Sequence, residues 1–342
     1  STHRSLMADR RDADYMGRAI NAADASRLIT PPNPWVGAAI ASGTAVFTGA
    51  TSQYGGPHAE VNALAEAGDD ARGATMYTTL EPCCHHGQTG PCTDAIIQAG
   101  ITRVVIALTD PDPLVAGKGI ERLREAGIEV DVGVGAARVE RQLRPYLHHR
   151  RTGRPLVVLK LAATLDGFTA APDRSSKWIT GPEARSDSHR LRAESDALLV
   201  GAGTIRADDP ALTVRDFAPI GIDGDEIQPL RVVLGSAPDD ARAQPLIELS
   251  GELDEVLADL AGRGVLQLMV EGGAHVAGAF HREGLIDRYV IYLAPALFGG
   301  DDARPLFSGP GAPTIGDIWR GEIVDVRQLG ADVRIEMRPR SN

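Results

Sequence analysis

The chain has 342 residues, more than a single hydrophobic core usually organises, so two domains are predicted. Its hydrophobic content of 43% and its charged content of 24% are ordinary for a globular protein. A net charge of −11 argues against a nucleic-acid groove, although a local basic pocket could still bind one phosphate.

All three cysteines lie in one short segment, which argues against a disulfide framework and favours a reducing, cytoplasmic location. The sequence has no apolar run of the ~18 residues that a membrane helix needs, and its start lacks a signal-peptide core. Residues 1–6, ahead of Met7, are typical of an expression remnant and are excluded from the fold prediction.

The first predicted elements are a hairpin and two helices. Residues 36–41 and 44–50 are predicted to form the hairpin strands, and a helix is predicted over 58–67 after a Gly-Gly-Pro break. A strand over 74–80 ends before Pro82, and a helix over 91–99 carries Cys92 near its start. His58 and Glu60 then fall in the first turn of one helix.

His58, Cys83 and Cys92 are the predicted ligands of a catalytic zinc ion. Zinc binds imidazole nitrogen and thiolate sulfur, and three protein ligands leave a fourth position open for water. Bound zinc lowers the pKa of that water from ~15.7 to about 7. Glu60 can pass protons beside it, as in zinc deaminases, where the glutamate is not a ligand. The nine-residue step between the two cysteines departs from the shorter C-x-x-C spacing of the zinc deaminase signature.

Neighbouring residues leave two alternatives open. Cys84 is interpreted as a buried or supporting thiol, and His85 and His86 as loop residues, because adjacent residues cannot easily converge on one tetrahedral ion. A structural zinc site closed by His58, Cys83, Cys84 and Cys92 is the first alternative. The second is a deaminase acting on nucleic-acid bases, which the acidic charge disfavours.

A domain boundary is predicted over residues 144–155, where basic and turn residues replace the helical periodicity. It gives a domain over 7–150 and a second over 151–342. Apolar runs alternate with helical patterns in the second, which predicts an α/β sheet covered on both faces. The predicted strands are 156–161, 196–200, 230–234, 265–270 and 288–293, and the predicted helices are 183–193, 252–261 and 274–281.

Gly272 and Gly273 separate a predicted buried strand from a helix, so backbone N–H groups there could face a dinucleotide diphosphate. The run that begins at Gly201 is not taken as a dinucleotide fingerprint, because Arg206 occupies the place of its third glycine.

Longer motifs in both halves resemble one family, the bifunctional riboflavin-biosynthesis deaminase/reductases. PNPWVG (32–37), PHAE (57–60) and LEPC (80–83) are similar to its deaminase half. LKLAATLDG (159–167), WIT (178–180), ADDPALTVR (207–215) and EGG (271–273) are similar to its reductase half. The resemblance implies an N-terminal cytidine-deaminase-like three-layer α/β/α domain and a C-terminal dihydrofolate-reductase-like α/β domain.

The implied reactions are zinc-dependent deamination of 2,5-diamino-6-(5-phosphoribosylamino)pyrimidin-4-one and NADPH-dependent reduction of its ribosyl group to ribityl. The expected partner is therefore a phosphorylated pyrimidine rather than a nucleic acid or a membrane, and a homo-oligomer is expected. Thr51 and Gln88 depart from the family pattern, which has a histidine at the first position and a basic residue at the second. Binding of the deaminase substrate at these positions is therefore expected to be weaker or to be supplied by other groups.

The resemblance also implies site residues. Asn33 is expected to contact the pyrimidine. Lys160, at the end of a predicted strand, and Asp208 are candidates for the proton and carbinolamine chemistry of the reductase, although a Lys-Asp pair could equally be a structural salt bridge. The residues expected to line NADPH are Ala162, Trp178, Thr204, Asp208, Ser236, Gly273, Ala274 and His275. Those expected to meet the reductase substrate are Ser176, Arg192, Leu212, Arg215 and Glu271, with the two arginines as phosphate forks.

Overall fold

The computed structural model of the protein describes residues 2–85, 90–219 and 222–340. The chain divides into two units, residues 1–153 and residues 154–342. Within the described residues, no helix is both long enough and apolar enough to span a bilayer.

The first unit has a sheet between two layers of helices. Its helices are α1 (Thr2–Asp24), α2 (Ala59–Ala67), α3 (Cys92–Ala99), α4 (Lys118–Glu125), α5 (Ala136–Gln142) and α6 (Arg144–Thr152). Its strands are β1 (Gly37–Ser42), β2 (Ala45–Ala50), β3 (Thr75–Leu80), β4 (Arg103–Leu108) and β5 (Glu129–Val132). The sheet order is β2-β1-β3-β4-β5, with β3, β4 and β5 parallel and β1 antiparallel to both neighbours.

Two glycines show how the helices cover this sheet. A Cβ at Gly37 would lie 1.8 Å from the Ala19 carbonyl oxygen of α1, and one at Gly49 would lie 2.4 Å from the Ala59 carbonyl oxygen of α2. Gly37 pairs with Ala50, so the neighbouring Gly49 points to the opposite face. α1 and α2 therefore pack against opposite faces of the sheet. This confirms the predicted three-layer α/β/α architecture.

The predicted loss of helical structure over residues 144–155 is wrong for most of that segment. Helix α6 occupies Arg144–Thr152, and its C-cap Gly153 adopts a left-handed φ of 73°. Pro145 lies in its first turn, where a missing N–H costs nothing, and the buried Tyr146 and Leu147 supply an apolar face. Residues 2–6, which were excluded from the fold prediction, belong to α1, since this helix begins at Thr2.

The second unit is built on a mostly parallel sheet. Its helices are α7 (Pro182–Ala193), α8 (Ala202–Asp208), α9 (Leu253–Gly262) and α10 (Ala274–Arg282). Its strands are β6 (Leu156–Thr164), β7 (Phe168–Ala170), β8 (Ala197–Gly201), β9 (Leu230–Leu234), β10 (Ile247–Leu249), β11 (Gln267–Gly272), β12 (Arg288–Ala294), β13 (Arg304–Pro305), β14 (Gly321–Leu329) and β15 (Asp332–Pro339). The main sheet has the order β10-β9-β8-β11-β6-β12-β15-β14, and β7 pairs with β13 separately.

Six strands of this sheet are parallel to one another, in the order β10-β9-β8-β11-β6-β12. The strands β15 and β14 add an antiparallel edge. Alternate residues of β6 enter two different cores, with Val157 and Leu159 on one face and Leu156 and Val158 on the other. α9 and α10 supply apolar side chains to the first core, and α7 and α8 supply them to the second. Burial on both faces explains the continuous apolar runs in these strands and confirms the predicted α/β class.

A buried ionic network ties the antiparallel edge to α7. Arg334 on β15 is 1% exposed. Its guanidinium nitrogens lie 3.0 Å from Asp187, 3.1 Å from Asp325 and 3.0 Å from Glu336. The Tyr292 hydroxyl on β12 donates to Asp187 at 2.6 Å. Each of these carboxylates also pairs with a second arginine, so removing Arg334 would leave them with one cation fewer rather than unpaired.

We expect Arg334→Met to lower the free energy of unfolding by about 1.5–3 kcal/mol, because the buried carboxylates lose charge-assisted hydrogen bonds to Arg334 but keep their other arginine partners. Urea denaturation measures the change. Arg338→Met on the same strand is the matched control, since its partner Glu322 is half exposed and such a pair contributes ~0–1 kcal/mol. Equal losses in the two variants would contradict a special role for the Arg334 network.

Candidate active sites

Three ligand-type side chains meet at the carboxyl end of β3 in the first unit. His58 precedes α2 as its N-cap, Cys83 follows β3, and Cys92 is the first residue of α3. The His58 Nδ1 atom lies 3.6 Å from the Cys83 sulfur and 3.3 Å from the Cys92 sulfur. Tetrahedral zinc, with bonds of ~2.3 Å to sulfur and ~2.0 Å to nitrogen, separates such ligand atoms by about 3.5 Å. The distances from His58 Nδ1 to the two sulfurs therefore fit a tetrahedral zinc site.

The pKa shifts of Cys83 and Cys92 bear on how both thiols could bind a metal ion. A hydrogen bond from Cys92 is the main cause that lowers the pKa of Cys83 to about 4. The same hydrogen bond, with burial, raises the pKa of Cys92, so only one of the two sulfurs ionises on its own. A metal ion removes this conflict because coordinated thiols are deprotonated outright.

Glu60 lies in the first turn of α2, beside the ligand group. Its side chain is buried, and burial is the main cause that raises the pKa of Glu60 to about 7. It is hydrogen-bonded to Cys92 but does not belong to the group of three candidate ligands. A carboxyl group that changes protonation near neutral pH suits proton transfer.

Cys84 lies outside this group among the described residues, so the closed structural site is not favoured. Its thiol is partly exposed, and burial raises its pKa. We expect Cys84→Ser to retain zinc and deaminase activity, because three ligands and an open position remain. Zinc analysis and an ammonia-release assay check this. Loss of zinc from Cys84→Ser would instead support the structural site in which Cys84 is the fourth ligand.

Two of the residues expected to affect substrate binding can be located. Asn33 lies in a turn before β1, where its N–H donates to the Thr30 carbonyl at 2.9 Å. The buried Thr51 hydroxyl accepts from the Val36 N–H at 3.1 Å and donates to the Val36 carbonyl at 3.3 Å. Thr51 therefore supports the backbone ahead of β1. His86 and Gln88 lie outside the described residues.

In the second unit, two of the predicted site residues form ion pairs with Glu271. Arg192 donates to both Glu271 oxygens at 2.8 Å, and Lys160 Nζ lies 3.2 Å from Glu271 Oε1. Burial alone would raise the pKa of Glu271, but the two cations outweigh it and hold the pKa at about 2. Arg192 also donates to the Thr213 carbonyl at 2.8 Å, so much of its fork is engaged within the protein.

The other substrate and proton-transfer candidates differ in their surroundings. Arg215 is exposed, with one guanidinium nitrogen 3.3 Å from the Thr213 hydroxyl, so it is the freer of the two predicted phosphate forks. Leu212 is buried, and Ser176 is partly exposed in the segment before α7. Asp208 is exposed at the end of α8, and the ion pair of Lys160 is with Glu271 rather than with Asp208.

Most of the predicted cofactor residues follow the carboxyl ends of neighbouring parallel strands, where open α/β sheets bind ligands. Gly273 is the N-cap of α10 with a φ of 80°, and an added Cβ would lie 3.3 Å from the Thr204 hydroxyl of α8. Ala274 and His275 begin α10, Ser236 follows β9, and Ala162 lies on β6. Trp178 is 68% exposed, with the Arg185 guanidinium 4.7 Å from the centre of its ring.

Comparisons with known proteins cover both units. The family described as "Cytidine and deoxycytidylate deaminase zinc-binding region" matches residues 9–108, and the family described as "RibD C-terminal domain" matches residues 155–335. Riboflavin biosynthesis protein RibD of Bacillus amyloliquefaciens is 40% identical, with 95% of this chain and 96% of that protein covered. The chain belongs to the RibD family. The Escherichia coli RibD protein is 39% identical, with 95% and 99% covered.

Solved RibD structures share the fold over nearly the whole chain. Acinetobacter baumannii RibD, form 1, has a TM-score of 0.92 at 38% identity, with 97% of this chain and 100% of that chain covered. A Thermotoga maritima structure has a TM-score of 0.85 at 33% identity, with 97% and 99% covered. The RibD assignment confirms the predicted class, a bifunctional deaminase and reductase of riboflavin biosynthesis that uses zinc and NADPH.

Sequence reasoning missed the residues that support the predicted ones. His189 on α7 accepts the Arg215 N–H at 3.2 Å, and Gln228 accepts the Val214 N–H at 2.9 Å and donates to its carbonyl at 3.2 Å. Burial lowers the pKa of His189 to about 4, so the ring is neutral at pH 7 and can accept. The spacing of His189 and Arg192 on one helix face could have revealed the first of these.

Proposed function

We propose that the first unit of this RibD-family chain removes an amino group from 2,5-diamino-6-(5-phosphoribosylamino)pyrimidin-4-one by hydrolysis. The Thermotoga structure is described as a diaminohydroxyphosphoribosylaminopyrimidine deaminase/5-amino-6-(5-phosphoribosylamino)uracil reductase, which names this substrate class. Water supplies the oxygen, the carbon–nitrogen bond at the pyrimidine breaks, and ammonia leaves. Asn33 is proposed to contact the pyrimidine ring.

The observation that carries this proposal is a buried Glu60 beside a group of one imidazole and two sulfurs. His58, Cys83 and Cys92 would hold zinc, which lowers the pKa of a bound water to about 7. Glu60 accepts a proton from the attacking water and then donates one to the departing amine. Burial raises the pKa of Glu60 above the usual carboxyl range, which suits a group that must accept a proton and then donate it.

We propose that the second unit reduces the ribosyl group of the deaminated product to ribityl. NADPH supplies the hydride. Lys160, held by Glu271 at 3.2 Å, is proposed to deliver the accompanying proton, and the exposed Arg215 to bind the substrate phosphate. Asp208 has no charged partner in the described structure that would support a role in proton transfer, so its proposed place is the edge of the cofactor site.

The decisive assay uses the purified chain and the diaminopyrimidinone phosphate. Without NADPH, ammonia should be released and the uracil-ring product should accumulate. With NADPH, oxidation of the cofactor should follow deamination. Ammonia release from RNA but not from the free nucleotide would favour the base-deaminase alternative.

We expect Gly273→Val to raise the KM for NADPH by about tenfold or more, a factor equivalent to ~1.4 kcal/mol of binding free energy. The valine side chain would be strained at a φ of 80° and would crowd the Thr204 hydroxyl. Gly262→Ala at the end of α9 is the control, because nothing lies within 4 Å of its added Cβ. Cofactor titrations with pre-deaminated substrate measure the effect, and an equal KM in both variants would argue against a cofactor site at this turn.

We also propose that residues 7–150 and 151–342 act as the deaminase and reductase domains, that the chain works in the cytoplasm as a homo-oligomer, and that nucleic acid is not its partner. Three free cysteines, two of them proposed ligands, support a reducing location. Exposed Ile323 and Val326 on the edge strand β14 support self-association, which sedimentation would test.

A further inference from the structure

Glu81 is a buried carboxylate two residues before the proposed zinc ligand Cys83. We propose that Glu81 is a positioning residue, which holds the Pro82–Cys83 turn against the start of α4 and thereby fixes the Cys83 sulfur. The inference rests on the proposed zinc site and goes beyond its ligands.

Within the described residues, the hydrogen bonds of the Glu81 carboxylate come from backbone N–H groups of other segments. Oε1 accepts the N–H groups of Gly119 at 2.9 Å and Ile120 at 3.1 Å. Oε2 accepts those of Gly117 at 3.0 Å and Asp110 at 3.2 Å. Three of the four donors lie at the start of α4, where free N–H groups and the helix dipole favour a negative charge. Glu81 therefore caps α4 from a different part of the chain.

Gly119 brings the helix directly against the turn. A Cβ at this position would lie 2.1 Å from the Pro82 carbonyl oxygen, a distance that no side chain allows. The start of α4 therefore sets the position of the Pro82 carbonyl as well as that of the Glu81 side chain. Any larger residue at 119 has to displace the peptide that leads into Cys83.

The start of α3 holds Cys83 from the other side. The Thr93 N–H donates to the Cys83 carbonyl at 3.2 Å, and the Cys92 N–H lies 3.4 Å from the Cys83 sulfur. Cys83 thus lies on a short turn held between the starts of two helices. Groups that orient a ligand in this way typically contribute 10–100-fold in metal affinity.

The test measures the rate at which zinc leaves the folded chain, with a coloured chelator as acceptor, in Glu81→Gln and Gly119→Ala. The glutamine amide places an N–H₂ group against two backbone donors, and the alanine displaces Pro82. We expect each variant to lose zinc ~10–100-fold faster than the wild type, with the reductase rate unchanged.

Two matched controls separate this effect from general damage. Glu121→Gln removes an exposed charge from the first turn of α4, and Gly17→Ala adds a Cβ whose nearest neighbour is an Arg138 nitrogen at 3.8 Å. Both should release zinc at the wild-type rate. The unfolding temperature of each zinc-free variant reports any purely structural loss.

The results distinguish failure of the Glu81 positioning role from failure of the proposed zinc site. If the wild type binds zinc, Cys83→Ser loses it, and both Glu81→Gln and Gly119→Ala release it at the wild-type rate, the positioning role is overturned and the zinc site stands. If Cys83→Ser keeps its zinc, the proposed metal centre itself is wrong. Should Glu81→Gln fail to fold, Gly119→Ala decides alone.

Discussion

Replacing Glu60 with glutamine should lower the kcat of deamination by ~10²–10⁴-fold, the usual contribution of a positioned proton-transfer group. Glutamine keeps the shape and the buried position of the side chain but can neither accept the proton of water nor donate one to the departing amine. The zinc content should not change, because the three candidate ligands do not include Glu60. Ammonia release under saturating substrate measures the loss.

Two comparisons make this result specific. Glu66→Gln changes an exposed carboxylate on the same helix and should leave deamination unchanged. NADPH oxidation with pre-deaminated substrate should also stay at the wild-type rate in Glu60→Gln, because the reductase residues lie in the other unit. Loss of both activities would contradict two independent sites, and near-normal deamination would remove Glu60 from the mechanism.

The deaminase site could be predicted from the sequence because its chemistry depends on short segments. His58 and Glu60 are two positions apart at the start of α2, and Cys92 starts α3, so local helix signals located most of the site. The helix predicted from residue 58 in fact begins at Ala59, with His58 as its N-cap. That difference of one residue leaves Glu60 in the first turn, as predicted.

Contacts between distant segments could not be predicted in the same way. Lys160 and Glu271 are 111 residues apart, and their ion pair depends on β6 and β11 being neighbours in the sheet. The sequence named Lys160 and Asp208 as candidates for one reaction but could not show the Glu271 partner, because a strand order cannot be deduced from alternating apolar runs. Glu81 belongs to the LEPC motif, but its four backbone donors come from the turn after β4 and the start of α4, which the motif does not reveal.

The error over residues 144–155 has a different cause. Arg150 and Arg151 gave the segment a polar composition, whereas its helical character comes from the burial of Tyr146 and Leu147. The Tyr146 hydroxyl donates to both oxygens of Asp110 at 3.1 Å, a contact with the end of β4. Tertiary contacts therefore outweighed the local composition, as they commonly do for short helices.

The reductase site yields the second large effect. Lys160→Met should lower the kcat of NADPH oxidation by ~10²–10⁴-fold, because the proposed proton donor is removed. The fold should survive, since Glu271 keeps both hydrogen bonds to Arg192 at 2.8 Å and remains a paired buried carboxylate. Arg263→Met, which removes an exposed cation just after α9, is the control and should have the normal rate.

Lys160→Arg separates proton donation from simple charge pairing. An arginine at this position keeps the positive charge beside Glu271 but stays protonated under all working conditions, so it cannot supply the proton. If Lys160 is the donor, the arginine variant should be as stable as the wild type and as slow as the methionine variant. Recovery of the rate in Lys160→Arg would instead show that Lys160 serves only as the ionic partner of Glu271, and the proton for the reduction would have to come from another group.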